Sequence, residues 1–218
     1  NPKFSLFVIN LQTSIKTLYI GFIVFCMAVI ATLNAIFAAP IFGFDVWYAI
    51  IATVIAVVAV IAVDGVFAFV IRHILPAKWF DEKNTKWTPG KKTCIFYEKL
   101  GVKKWKDKVL ELGVFAGFRK NKLADPNNNE YVARFIPEAN YGIVIHLFGM
   151  IFGFSIMAFY PKYAFNLGLP VAIVNLFLNY LSFVILRYNL PKLRILYKRN
   201  ARRAEKAAHT VEENKKAV

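Results

Sequence analysis

Four apolar runs organise the chain: roughly residues 17–38, 46–70, 141–159 and 167–186. Each reaches the ~18 residues that a bilayer-spanning helix needs. Polar positions gather in one long stretch, 71–140, and in a C-terminal tail, 187–218. The other two connections, near 39–45 and 160–166, are short. The pattern predicts an all-α integral membrane protein. It is a four-transmembrane-helix bundle with one large loop, forming a single membrane domain over 1–218.

Charge sharpens the picture by giving the bundle two unlike ends. Of 28 Lys and Arg, only Lys162 lies between runs one and two or three and four. Basic residues are retained on the cytoplasmic side. Both termini and the 71–140 loop are therefore expected in the cytoplasm, with little chain outside. At 58% apolar residues and a mean hydropathy of +0.47, the chain is too hydrophobic for a soluble globule of 218 residues. The net charge of +15 is assigned to anionic headgroups rather than to nucleic acid, with some basic side chains free to hold a substrate phosphate. The first run is longer than a signal-peptide core and no A-x-A site follows it, so it reads as a retained helix. Cys26 and Cys94 sit at different membrane levels, and no disulfide is expected. A homo-oligomer is compatible with the pattern.

Residues 4–11 form a short amphipathic stretch suited to a membrane surface. In the 71–140 loop, Lys and aromatic residues interleave: Lys78-Trp79-Phe80, Lys86-Trp87 and Lys103-Lys104-Trp105-Lys106. Such residues favour the interface, so the loop is expected against the inner leaflet, with short helices near 96–112 and 130–135. Asp125-Pro126 marks a turn. From Leu190 to about Ala208 the tail reads as a basic helix, with a frayed remainder from His209.

A polar residue in hydrocarbon is costly, so each is a functional candidate. Asp64 lies deep in the second run and His146 inside the third. Asn175, Asn179, Ser182 and Asn189 share one face of the fourth, which meets the headgroups at Arg187-Tyr188. Helix-to-helix hydrogen bonding alone would account for Asn175 and Ser182, and equally for Asp64. Glu138 precedes His146 by eight residues, about 12 Å along a helix axis. A neutral His beside a carboxylate is equipped to deprotonate an alcohol. Unrelated interface residues would show the same spacing, so both readings stand. No G-x-S-x-G, P-loop, G-x-G-x-x-G or H-x-x-x-x-D pattern is present, and no Cys/His spacing suits a metal.

Three stretches together carry a resemblance: Leu75-Pro76-Ala77-Lys78-Trp79-Phe80, Val102–Leu110, and Arg187-Tyr188-Asn189-Leu190-Pro191-Lys192-Leu193. With the Glu138–His146 pair and Asn179, they resemble the glycosyl-4,4'-diaponeurosporenoate acyltransferases, small bacterial membrane enzymes that acylate the sugar of a carotenoid glycolipid. The chain departs from that pattern at Ile143, where an acidic residue is expected, and at Leu147, where Trp is expected. The first helix looks like an addition. The resemblance implies a bacterial cell-membrane acyltransferase acting on a glycolipid or other lipid-linked acceptor. Its acyl donor would be acyl-coenzyme A or acyl carrier protein, with no bound cofactor. It implies His146 as general base with Glu138 as its partner. Asn179, Arg187, Tyr188, Asn189, Lys104, Trp105 and Lys106 would bind substrate, the oxyanion or phosphate. A non-enzymatic membrane scaffold or lipid-binding assembly factor is the competing reading.

Overall fold

The computed structural model describes residues 20–43, 45–109, 125–159 and 161–216. The amphipathic stretch at 4–11, the start of the first run, and 110–124 with the end of the expected 96–112 helix lie outside these residues.

The first helix, α1, covers Ile20–Phe37 and continues through a wider π turn and Ala39–Phe42. Gly43 then adopts a positive φ of 69°, which reverses the chain where a side chain would be strained. Asp45 caps α2 (Val46–Ile74) by accepting the Trp47 amide at 2.7 Å. Arg72 and His73 fill its last turn, next to the exposed carbonyls, and Pro76 follows. Two short helices, α3 (Lys91–Lys99) and α4 (Val102–Trp105), come next. The long helix α5 runs over Asn129–Phe152, capped by the Asn128 side chain, and passes through a tight turn into Ile156–Phe159. Finally, α6 covers Leu169–Lys216.

Four helices are long and apolar enough to cross a membrane, and no strand occurs among the described residues. The chain is thus an all-α, multi-pass membrane protein. Much of α1 and α2 presents bare apolar side chains, among them Phe25, Phe37, Ile55, Val58 and Phe69. That surface suits lipid and would be untenable in water.

Three expectations need correction. The third membrane helix starts at Asn129, not near 141. Val132, Phe135, Ile136, Ala139 and Ile143 follow helical spacing and are all buried, while Arg134 and Glu138 between them belong to the opposite face. The helix expected over 96–112 breaks at Gly101, whose φ of 71° ends α3 and starts α4. The fourth membrane helix and the tail are one helix, unbroken by Pro191 and helical to Lys216 rather than frayed from His209.

Packing of α2, α5 and α6 generates apolar cores at different heights, two of which frame the site. One joins Ala52, Ala56 and Val60 of α2 to Ile156, Val171 and Ala172. The other, towards the charged end, joins Ile136, Ala139 and Ile143 of α5 to Leu186 and Leu190 of α6. A polar layer lies between them.

Candidate active site

Three helices each contribute to that layer. Asp64 comes from α2, His146 from α5, and Asn175 and Asn179 from α6. The Asn179 amide stands at the centre. Its Oδ1 lies 2.8 Å from His146 Nδ1, and its Nδ2 donates to Asp64 Oδ2 at 2.9 Å. Asn179 Nδ2 also approaches the Asn175 carbonyl and its side-chain oxygen, at 3.2 and 3.1 Å. Asn175 Nδ2 donates to the Gly149 carbonyl at 3.2 Å and more weakly to Asp64 Oδ1 at 3.5 Å. Both amide side chains are buried, while Asp64 and His146 are half-buried.

Gly149 of α5 and Gly153, just past its end, open the space for these amides. A Cβ on Gly149 would lie 2.8–2.9 Å from three atoms of the Asn179 side chain. One on Gly153 would collide with Asn175. Gly149 and Gly153 are four residues apart, as are Asn175 and Asn179, so two helix faces meet turn for turn. Small residues that admit a neighbouring helix are a recurrent feature of membrane bundles.

The layer also has a definite depth. Asp64 precedes Arg72 by eight residues, His146 follows Glu138 by eight, and Asn179 precedes Arg187 by eight. On all three helices the polar group is about 12 Å along the axis from a charged residue at the basic end. Two of those charged residues pair with each other. Arg72 grips the Glu138 carboxylate with both terminal nitrogens, at 3.2 and 2.7 Å, and its guanidinium lies 5.3 Å from the Tyr141 ring centre. Glu138 is therefore engaged by Arg72, two turns from the imidazole, and the side chain at His146 is Asn179.

The loop is folded onto the same end. Phe80 is fully buried and stacks on Tyr141 at 4.0 Å between ring centres. Buried Asn140 holds the Phe80 carbonyl at 2.8 Å, and Arg194 donates to the carbonyls of Glu82 and Asn84. Val102 is buried against Val184 and Tyr188 of α6, with Trp105 alongside. The Trp105 indole donates to the Leu100 carbonyl at 3.1 Å. Tyr188 donates to Glu98 at 2.9 Å, and Lys103 bonds the same oxygen at 2.9 Å. Lys103 and Tyr188 together hold the Glu98 carboxyl below its ordinary range. Lys192 sits 3.6 Å over the Tyr188 ring, and Arg187 lies over Phe183 at 5.3 Å. Lys106 reaches Asp107 at 3.8 Å, Lys104 is exposed, and Asn189 is half-buried on α6.

The expected residues thus fall into two groups. His146 and Asn179 meet inside the bundle. Tyr188, Trp105 and Lys106 cluster at its basic end, with Arg187, Asn189 and Lys104 on the same elements. Sequence reasoning missed Arg72 as the partner of Glu138, both glycines, and the bond from Asp64 to Asn179. The shared eight-residue spacing to Arg72, Glu138 and Arg187 was the available signal for the common depth.

Chemically, the layer offers one imidazole whose Nδ1 is occupied by a fixed amide. A family model described as glycosyl-4,4'-diaponeurosporenoate acyltransferase matches residues 76–199, more than half of the chain. The match takes in Glu138, His146, Asn179 and Arg187, and leaves out Asp64 and Arg72. No curated protein and no solved structure matches the chain.

Proposed function

This chain belongs to the glycosyl-4,4'-diaponeurosporenoate acyltransferase family, and we propose that it moves a fatty acyl chain from a thioester donor onto a hydroxyl of a glycolipid or other lipid-linked acceptor. It is an acyltransferase, which sets the scaffold reading aside. The observation that carries the finer reading is the 2.8 Å bond between His146 and Asn179 inside the bundle.

In this scheme His146 is the general base. Asn179 Oδ1 accepts a hydrogen bond from Nδ1–H, and Nε2 takes the proton of the acceptor hydroxyl. The hydroxyl oxygen forms a bond to the thioester carbon, giving a tetrahedral oxyanion. The C–S bond then breaks, and the proton on Nε2 passes to the leaving sulfur. A positioned base of this kind contributes about 10²–10⁴-fold to the rate.

The donor is acyl-coenzyme A or acyl carrier protein, approaching from the basic end. Its phosphate stays among Lys103, Lys106, Arg187 and Lys192 while the flexible thioester arm reaches about 12 Å inward to His146. Lys104, Trp105, Tyr188 and Asn189 border that entry. The basic end faces the cytoplasm of a bacterial cell, with both termini inside. The bilayer supplies the acyl chain's path and the lipid acceptor.

Lipid mass spectrometry of cells lacking this protein tests the proposal. One acylated glycolipid should disappear and its unacylated precursor should accumulate. Wild-type protein should restore it and His146→Ala should not. An unchanged lipid profile would contradict the proposed acceptor class.

A further inference from the structure

We propose that the exposed basic side of α6 beyond the bundle docks acyl carrier protein, and that this small acidic protein is the acyl donor. The inference rests on the acyl-transfer reading and selects one of its two donors.

Helix α6 does not stop at the headgroups. Lys198, Arg199, Arg202, Arg203 and Lys206 follow Arg187 along it, and all five are exposed. At about 100° per residue they fall within a sector of about 140°. Carried back towards the membrane, the same side of the helix holds Arg187, Tyr188 and Lys192, where the donor enters. The other side packs on the bundle. Leu193 and Tyr197 lie against an apolar core, and buried Asn200 donates to the Pro126 carbonyl at 2.8 Å. Among the described residues, no carboxylate pairs with any of the five. Glu205 stands at the edge of the stripe, and Glu212 and Glu213 come only beyond it.

Distance decides between partners. The stripe lies about 16–28 Å along the axis past Arg187. Attraction to anionic headgroups fades within about 8–10 Å. The helix is also kept from lying down on the bilayer. Its Asn200 bonds the turn that leads into α5, and α5 itself begins nine residues before Glu138, so the two helices leave the membrane together. A coenzyme A whose phosphates meet Arg187 and Lys192 ends short of Arg203 and Lys206. A folded acidic protein carrying the same phosphopantetheine arm can rest its side on the stripe while the arm enters at Arg187. Lys198 and Arg202, Arg199 and Arg203, and Arg202 and Lys206 are each four residues apart. Like charges at that spacing weaken a helix, and an acidic partner reverses the effect. The chemistry is unchanged: the acyl C–S bond of the carrier's arm breaks, and its sulfur takes the proton from His146.

The test compares purified wild type with the triple variant Arg199→Glu, Arg202→Glu, Arg203→Glu in phosphatidylcholine proteoliposomes. The acceptor is a glucosylated lipid, and the donor is palmitoyl-acyl carrier protein or palmitoyl-coenzyme A. In the variant, kcat/KM for the carrier should fall about 10-fold or more, mostly through KM. The value for coenzyme A should hold, which also shows that the variant is folded. Unchanged carrier kinetics, or equal losses with both donors, would overturn the proposal. A variant that matches wild type here and falls behind only when phosphatidylglycerol is added would assign the stripe to lipid and overturn it too. Sedimentation of holo-acyl carrier protein with the same vesicles reads docking separately. Wild type should bind it and the variant should not; wild type that fails to bind would overturn the docking surface. Carrier bound by wild type alone, with no transfer from either donor, would contradict the acceptor class and still support the surface.

Discussion

Asn179 is the residue on which the site turns. It is a short side chain with four polar contacts, buried on α6, and two of those contacts lead to the ionisable groups of other helices. Truncation to Ala would leave Asp64 without its best donor, at about 1–3 kcal/mol. It would also remove the Nδ1 partner of the imidazole. Asn175 touches Asp64 only weakly and bonds the Gly149 backbone instead. Asn175→Ala should therefore lower thermal stability as Asn179→Ala does, while retaining clearly more acyl transfer; equal activity losses would contradict the separation. Gly149→Ala is a sharper probe, because the new methyl reaches the Asn179 amide rather than a pliable chain end. Displacement of about 1 Å at a reacting group costs up to 10²-fold. Kinetics of Gly149→Ala should show that scale of loss in kcat, with overpacking of about 1–3 kcal/mol in thermal unfolding.

At the scale of elements, the loop between α2 and α5 is tied to the bundle at identifiable points. Asn140 binds two loop carbonyls beneath the buried Phe80 ring. Asn140→Ala should orphan the Phe80 carbonyl, cost about 1–3 kcal/mol, and expose Trp87 and Trp79 to quencher earlier in a melt. The α4 segment is held to α6 through Glu98, Lys103 and Tyr188. Because the Glu98 carboxyl is depressed, its contribution is complete above the ordinary Glu range and fades as pH falls through the lowered value. Trp105 emission should report that acid transition in wild type and lose it in Glu98→Gln. The apolar runs alone disclosed the four spans, because continuous hydrophobicity needs no partner to be read. The start of α5 at Asn129 was hidden by Arg134 and Glu138, which sit on one face while Phe135, Ile136 and Ala139 bury the other. Likewise the fourth run and the basic tail read as separate elements, yet α6 runs through both.

For the whole molecule, one end is basic and aromatic, the other nearly uncharged, and a polar layer lies within. Single-cysteine variants made after Cys26→Ser and Cys94→Ser should place these ends. A probe at Lys162 should react with an impermeant reagent from outside, and one at Glu205 should not; the reverse would invert the orientation. Periodicity revealed which face of α6 is polar. It could not reveal that Asp64 of α2 and His146 of α5 reach the same amide, since which helix faces meet is fixed only by packing. Acyl transfer at that amide requires His146 as its base. The most direct test of that role is the single-turnover rate of purified His146→Ala in proteoliposomes, beside wild type, with palmitoyl-coenzyme A and a glucosylated lipid. A fall of about 10²–10⁴-fold in a folded, inserted protein is predicted. Transfer at the wild-type rate would contradict it.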